Sequence, residues 1–366
     1  MVTRVLASWY LTKQDSSYPA IAINRQTGNG GPNVQGGNST VARLVARDGI
    51  VLLKNTDNVL PLKKPKSLAI IGSSAVNNAK GINSCADMGC NQGTLSMGWG
   101  SGSATLPVSL ITTNLTSNMT DKPKYLSAPL DAINSRAKLD GTTIVTSTTD
   151  SSSAGVSAAQ KADIALVFIT ADSGEAYITV EGHAGDRNDM NAWHAGADLV
   201  KAVAAVNKNT IVVVHSTGPI LLEDFVEIAN VKAIVWAGLP GQEAGNALAD
   251  ILYGDVSPSG KLPYTIARAA KDYGTTIQAN TDNFPEGLFI DYRNLDKNGH
   301  TPRYEFGFGL SMYSSPGNYW YLLIQYQHTQ TLSILISQFP GLQFLVRKQA
   351  RQFLAGPHHS LTSLQR

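Results

Sequence analysis

The chain has 366 residues, 43% of them apolar and 15% charged, with 33 glycines and 16 prolines. That profile excludes a disordered chain and a coiled coil, and at roughly 100–200 residues per domain it leaves room for two or three. The formal net charge of +2, from 29 basic against 27 acidic residues, lacks the clustered Lys and Arg of nucleic-acid binding. No run approaches the ~20 apolar residues of a membrane span, so neither nucleic acid nor membrane is an expected partner.

The first ten residues, Met1-Val2-Thr3-Arg4-Val5-Leu6-Ala7-Ser8-Trp9-Tyr10, lack the apolar core, roughly 7–15 residues long, of a secretory signal. The expectation is a chain without a signal peptide that begins inside a longer protein. Residues 16–40 are rich in Ser, Gly, Asn and Pro, the composition of a linker. Asn38 or Ser39 is then placed to cap a short helix through Arg47, and Ile50-Val51-Leu52-Leu53 reads as a buried extended run.

Cys85 and Cys90 are the only cysteines. With no third or fourth ligand nearby, the pair reads as a local disulfide in preference to half of a zinc site, and it favours an oxidising compartment. Closing so short a loop contributes only about 2 kcal/mol, so its expected role is to fix a turn. The loop Met97-Gly98-Trp99-Gly100-Ser101-Gly102-Ser103 sets a large aromatic between glycines. Such a ring either stacks on a sugar face or simply packs beside a turn. It neither follows a strand closely nor opens a helix, so a dinucleotide fingerprint is discarded. Residues 108–124 show no period and carry sequons at Asn114 and Asn118, in addition to one at Asn38.

From residue 67 onward, short β-branched runs alternate with longer segments of helical period. The predicted strands are 67–71, 142–146, 163–170, 210–215 and 231–237, and the predicted helices 154–162, 194–207, 222–229 and 243–253. Runs such as Ile164-Ala165-Leu166-Val167-Phe168-Ile169 are apolar at every position and so buried on both faces. That calls for an α/β fold, a mostly parallel sheet sandwiched by helices. Ligands of such sheets bind beyond the carboxyl ends of the strands. There the sequence places residues 171–187, with four carboxylates besides Arg187, His183 and Tyr177, and with Gly174, Gly182 and Gly185 to let the backbone approach a ligand. His215, at the end of a strand, reads as structural. No Walker A, G-x-S-x-G or H-E-x-x-H sequence occurs, and no metal or cofactor is expected. Residues 315–366 contain no acid and four basic residues, Arg347, Lys348, Arg351 and Arg366, so without them the balance turns from +2 to −2.

Several of these stretches together resemble glycoside hydrolase family 3, with the nearest likeness to the secreted fungal β-glucosidases. They are the two loops, Arg47-Asp48-Gly49-Ile50-Val51-Leu52-Leu53-Lys54-Asn55, Trp236-Ala237-Gly238-Leu239-Pro240-Gly241-Gln242-Glu243, Gly254-Asp255-Val256-Ser257-Pro258-Ser259-Gly260-Lys261-Leu262-Pro263 and Pro302-Arg303-Tyr304-Glu305-Phe306-Gly307-Phe308-Gly309-Leu310-Ser311. The resemblance implies that residues 1–40 are the end of a barrel domain and a linker, 41–313 an α/β sandwich domain interrupted by an insertion at 108–124, and 314–366 an aberrant, disordered tail. The simplest account of the last two is a retained intron and a misread frame after about Tyr313, which transcript sequencing would decide. The family's barrel and fibronectin-type domains have no counterpart, nor does its Ser-Asp-Trp-like nucleophile sequence.

The resemblance also implies a retaining β-glucosidase chemistry on terminal β-D-glucosyl residues of cellobiose, cello-oligosaccharides or aryl β-glucosides, with an extracellular parent enzyme. It assigns the acid/base to Glu175 in Ser173-Gly174-Glu175-Ala176-Tyr177, with Glu181 the runner-up. Tyr177 would line the leaving-group subsite, and Ser101 and Trp99 would face the sugar. Ala176 stands where the family has Gly, and His183 where it has Asn. Asp186 and Arg187 are expected to form an ion pair holding the loop. Without a nucleophile the isolated chain is expected to be inactive. The alternatives are a non-catalytic α/β module or fragment and, within the family, β-xylosidase or N-acetylglucosaminidase specificity.

Overall fold

The computed structural model describes residues 2–16, 37–79, 93–96, 126–174, 179–180, 183–276 and 283–312. Six strands form one sheet: β1 (Val51–Asn55), β2 (Ser67–Ile71), β3 (Thr143–Ser147), β4 (Ile164–Ala171), β7 (Thr210–Ser216) and β8 (Val231–Trp236), in the order β1-β8-β7-β4-β2-β3. Every neighbouring pair is parallel except β1 with β8. A separate antiparallel pair, β5 (Thr179–Val180) and β6 (His183–Ala184), lies in the loop after β4. The mostly parallel α/β sheet expected from the sequence is therefore present.

The period of two explains why both faces are covered. In β4, Ala165, Val167 and Ile169 enter one core with helices α4 (Ser152–Ala159) and α5 (Gly196–Val206). Leu166 and Phe168 enter the other, with α3 (Pro129–Asp140) and α6 (Ala244–Leu252). Each of these five β4 residues is all but excluded from water, and at roughly 25 cal/mol per Å² such burial makes the two layers the main source of stability. Two further helices, α1 (Val2–Leu11) and α2 (Asn38–Gly49), bury none of their residues below the surface, and α7 (Tyr292–Asn298) closes the described segment.

Three expectations need correction. Helix α2 is capped by Gly37, without a side-chain cap from Asn38 or Ser39, and runs on to Gly49. Residues 222–229 form turns, with one α-type bond from the Val226 N–H to the Leu222 carbonyl, because the preceding residues are spent in an extended strap whose Leu221 N–H bonds Met190 O. Helix α3 has no counterpart among the predicted elements. Its ends carry clear signals, Pro129 in the first turn and Gly141 in the left-handed region after the last, but only Pro129, Ala132, Ile133 and Ala137 are buried, too sparse a stripe to stand out.

Three of the stretches that carry the resemblance meet at β1. The Leu310 N–H bonds Leu52 O, and Gly309 packs so tightly on Gly260 that a Cβ would lie 2.3 Å from its carbonyl oxygen.

Candidate functional site

All five parallel strands point their carboxyl ends to one edge, where the segments after β2, β4, β7 and β8 gather. The turn after β2 starts at Gly72, whose φ of 112° and whose contact with β4 only glycine permits: a Cβ would lie 2.3 Å from the Phe168 carbonyl oxygen. The turn is then pinned by Asp150, which accepts from the Ser73 N–H at 2.8 Å and the Ser73 hydroxyl at 2.6 Å.

Beside it, His215 at the end of β7 is fully buried. Its Nδ1 lies 2.9 Å from the Ser74 hydroxyl, its ring stacks near Phe168, and its Nε2 has no hydrogen-bond partner among the described residues. Burial pulls its pKa down to about 4, so the ring is neutral at neutral pH. The structural reading of His215 fits a ring so enclosed.

The loop after β4 leaves from Asp172, which is 1% exposed, and returns at Arg187. Its neck is closed by the Arg187 N–H, which donates to the Ser173 hydroxyl at 2.9 Å. The Arg187 guanidinium turns inward and donates from Nη2 to Pro219 O at 2.7 Å, while Nη1 is buried without a hydrogen-bond partner among the described residues. Burial lowers its pKa below the ordinary value, against the pull of Asp189, Tyr264, Tyr273 and Asp172. Asp186 is exposed, and among the described residues no ion pair joins it to Arg187. The expected Asp186–Arg187 pair is therefore replaced by a buried guanidinium beneath the loop. The chain bends at Gly185 and Asp186, which leaves the Asp186 carboxylate facing outward.

Below the guanidinium, Tyr264 accepts from Trp236 Nε1 at 2.9 Å, and Tyr273 donates to Thr265 O at 2.7 Å. Burial pushes both phenols up to about 12, so both stay protonated and uncharged. On the far side of β8, an open groove of about 480 Å³ runs between α2 and the following loop, lined by Ala42, Val45, Gly238, Leu239 and Pro240. Its walls offer apolar contact and no acid or base.

The sequence-predicted site residues Glu175, Glu181, Tyr177, Trp99 and Ser101 lie outside the described residues, as do Cys85, Cys90, Asn114 and Asn118. Asn38 opens α2 and is exposed, the accessibility that a sequon needs. Among the described residues no cluster of three His, Cys, Asp or Glu is placed to hold a metal ion, and no helix is long and apolar enough to cross a membrane. Sequence reasoning passed over Ser74 and the inward turn of Arg187. The first pairs across 141 residues and the second depends on tertiary burial, so neither leaves a local signal.

Residues 50–312 match the model of the glycosyl hydrolase family 3 C-terminal domain. A protein named Probable beta-glucosidase L, from Aspergillus terreus, is 60% identical over 314 residues, which are 85% of this chain and 40% of that protein. Among solved structures, a β-glucosidase from Chaetomella raphigera superposes with a TM-score of 0.77 at 58% identity, over 85% of this chain and 41% of its own. A β-D-glucoside glucohydrolase from Trichoderma reesei gives 0.74 at 54%, over 86% and 41%. The chain thus spans about 40% of the length of the relatives it matches.

Proposed function

The chain belongs to glycoside hydrolase family 3, and on that premise we propose that it carries the acid/base side of a β-glucosidase active site, with Glu175 as the proton donor. The observation that carries this reading is the position of the loop. Ser173-Gly174-Glu175-Ala176-Tyr177 leaves the carboxyl end of the central strand β4, the edge where such sheets bind ligands, and its neck is fastened by the Ser173–Arg187 bond.

In a retaining mechanism one carboxylate attacks the anomeric carbon while a second, about 5–5.5 Å away, protonates the departing oxygen and later takes a proton from the incoming water. Glu175 would fill the second role, which calls for a carboxyl held neutral until the aglycone leaves and so for a partly desolvated loop. Tyr177 would stack beside the leaving group, and Trp99 and Ser101 would face the glucosyl ring. The nucleophile is taken to lie outside residues 1–366, in which no Ser-Asp-Trp-like sequence occurs. The substrate would be a terminal β-D-glucoside. An extracellular site of action accords with the sequons and the close cysteine pair.

The purified chain tests this reading directly. Expected are no release of aglycone from an aryl β-glucoside, and saturable binding of gluconolactone that weakens in Trp99→Ala. Turnover by the isolated chain that survives Glu175→Gln would overturn the assignment, and aggregation without binding would favour a non-catalytic fragment.

A further inference from the structure

His215 uses one ring nitrogen and buries the other without a partner among the described residues. An unpaired buried polar atom is costly, and a phenylalanine would fill the same volume without that penalty. What the histidine supplies is therefore its Nδ1 contact with Ser74. Ser74 is itself 1% exposed, and its hydroxyl accepts the Leu95 N–H at 3.3 Å. Leu95 belongs to a short segment, 93–96, that is fastened at Thr94, Leu95 and Ser96. The Thr94 N–H bonds Val76 O at 2.7 Å, and Ser96 O accepts the Gly241 N–H at 2.7 Å, tying the segment to the loop after β8. Leu95 and Ser96 are both 3% exposed. In the sequence the next residues are 97–103, the glycine-flanked Trp99 loop.

We propose that Ser74 and His215 are a positioning pair that seats residues 93–96 and so holds the base of the Trp99–Ser101 loop for the sugar. The role for sugar rests on the reading of that loop as substrate-binding. Strand β7 supplies the histidine from the centre of the sheet, Ser74 transmits its position from the turn after β2, and the Leu95 amide receives it. The pair touches no substrate and acts only through the loop it anchors.

Residue-resolved amide hydrogen exchange of the full chain, with gluconolactone titrated in parallel, tests the pair. His215→Phe keeps the ring volume and loses Nδ1. Exchange at Leu95 and Gly241 is expected to rise about tenfold, with Val212 and Val213 in β7 within about twofold of the unchanged protein and gluconolactone affinity down about tenfold. His215→Asn places its amide where Nδ1 lies and should restore both readouts, whereas His215→Gln places it at the Nε2 position and should not. Ser74→Ala, which removes a hydroxyl and almost no volume, stands in if the Phe variant fails to fold. Unchanged exchange at Leu95 and Gly241 overturns the proposal, and so does raised exchange with undiminished affinity. An unchanged chain that binds no gluconolactone contradicts the reading of the site instead, and the exchange at Leu95 across the same variants then decides the pair alone.

Discussion

The two edges of the sheet are built from the same kinds of residue and treat them differently. At the amino edge most polar groups satisfy one another, with Tyr253 Oη, where α6 ends beside Arg136, the exception among the described residues. Asn207, 4% exposed, donates to Ala159 O and Ala162 O at 2.9 and 2.8 Å and accepts the Asn209 N–H at 2.9 Å. Asp163 and Ser67 bond reciprocally, and Thr142 reaches Pro65 O. At the carboxyl edge Asn77 Oδ1, Ser147 Oγ, Arg187 Nη1 and His215 Nε2 are buried without hydrogen-bond partners among the described residues. A closed polar network rigidifies, whereas polar atoms left short of partners are a cost tolerated where something other than stability is served. On the proposed function, one edge holds the fold and the other serves the ligand.

The largest effect tests whether the carboxyl edge is nonetheless fixed in its backbone. Gly72→Ala drives a Cβ to 2.3 Å from Phe168 O at a φ of 112° and should cost about 4 kcal/mol in urea unfolding. A loss under about 1 kcal/mol would mean that the turn after β2 yields. At the amino edge, Asn207→Ala removes three hydrogen bonds at once. Stability should drop by about 3 kcal/mol with gluconolactone binding unchanged, and a change in binding would erase the division of labour between the edges.

The pH dependence comes next. His215 titrates at about 4 when folded against an ordinary 6.5, so the unfolded chain binds the proton first. Stability is then lost as pH falls from about 6.5 towards 4, by about 2 kcal/mol at pH 4.5. His215→Phe should lack that component, and equal acid sensitivity in both proteins would show that the ring is not held neutral. The smallest effect is at the loop neck: Ser173→Ala deletes the acceptor of the Arg187 N–H. It should cost about 1 kcal/mol and speed proteolysis between residues 174 and 186, while the sheet amides keep their protection.

The layers were far more legible in the sequence than the polar groups of either edge. Runs apolar at every position located β2, β4, β7 and β8 to within a residue or so, since burial on both faces leaves no other pattern. Helices α5 and α6 were bracketed by their apolar stripes. Helix α3 escaped because few of its residues are buried, and 222–229 misled because an apolar stretch of helical period was used as a strap and turns. At the site, composition and position marked the loop after β4. The inward Arg187 and the Ser74–His215 pair depend on which side chains meet across the sheet, which no local pattern encodes.

The central claim, that Glu175 is the acid/base, is tested most directly in the Aspergillus terreus relative with its matching segment replaced by residues 50–312 of this chain. Glu175→Gln in that protein should lower kcat/KM on cellobiose by about 10²–10⁴-fold, and far less on an aryl glucoside whose acidic phenol leaves without a proton, with Glu181→Gln changing neither by more than a few-fold. Undiminished cellobiose turnover in Glu175→Gln, or the loss appearing in Glu181→Gln instead, would contradict the account.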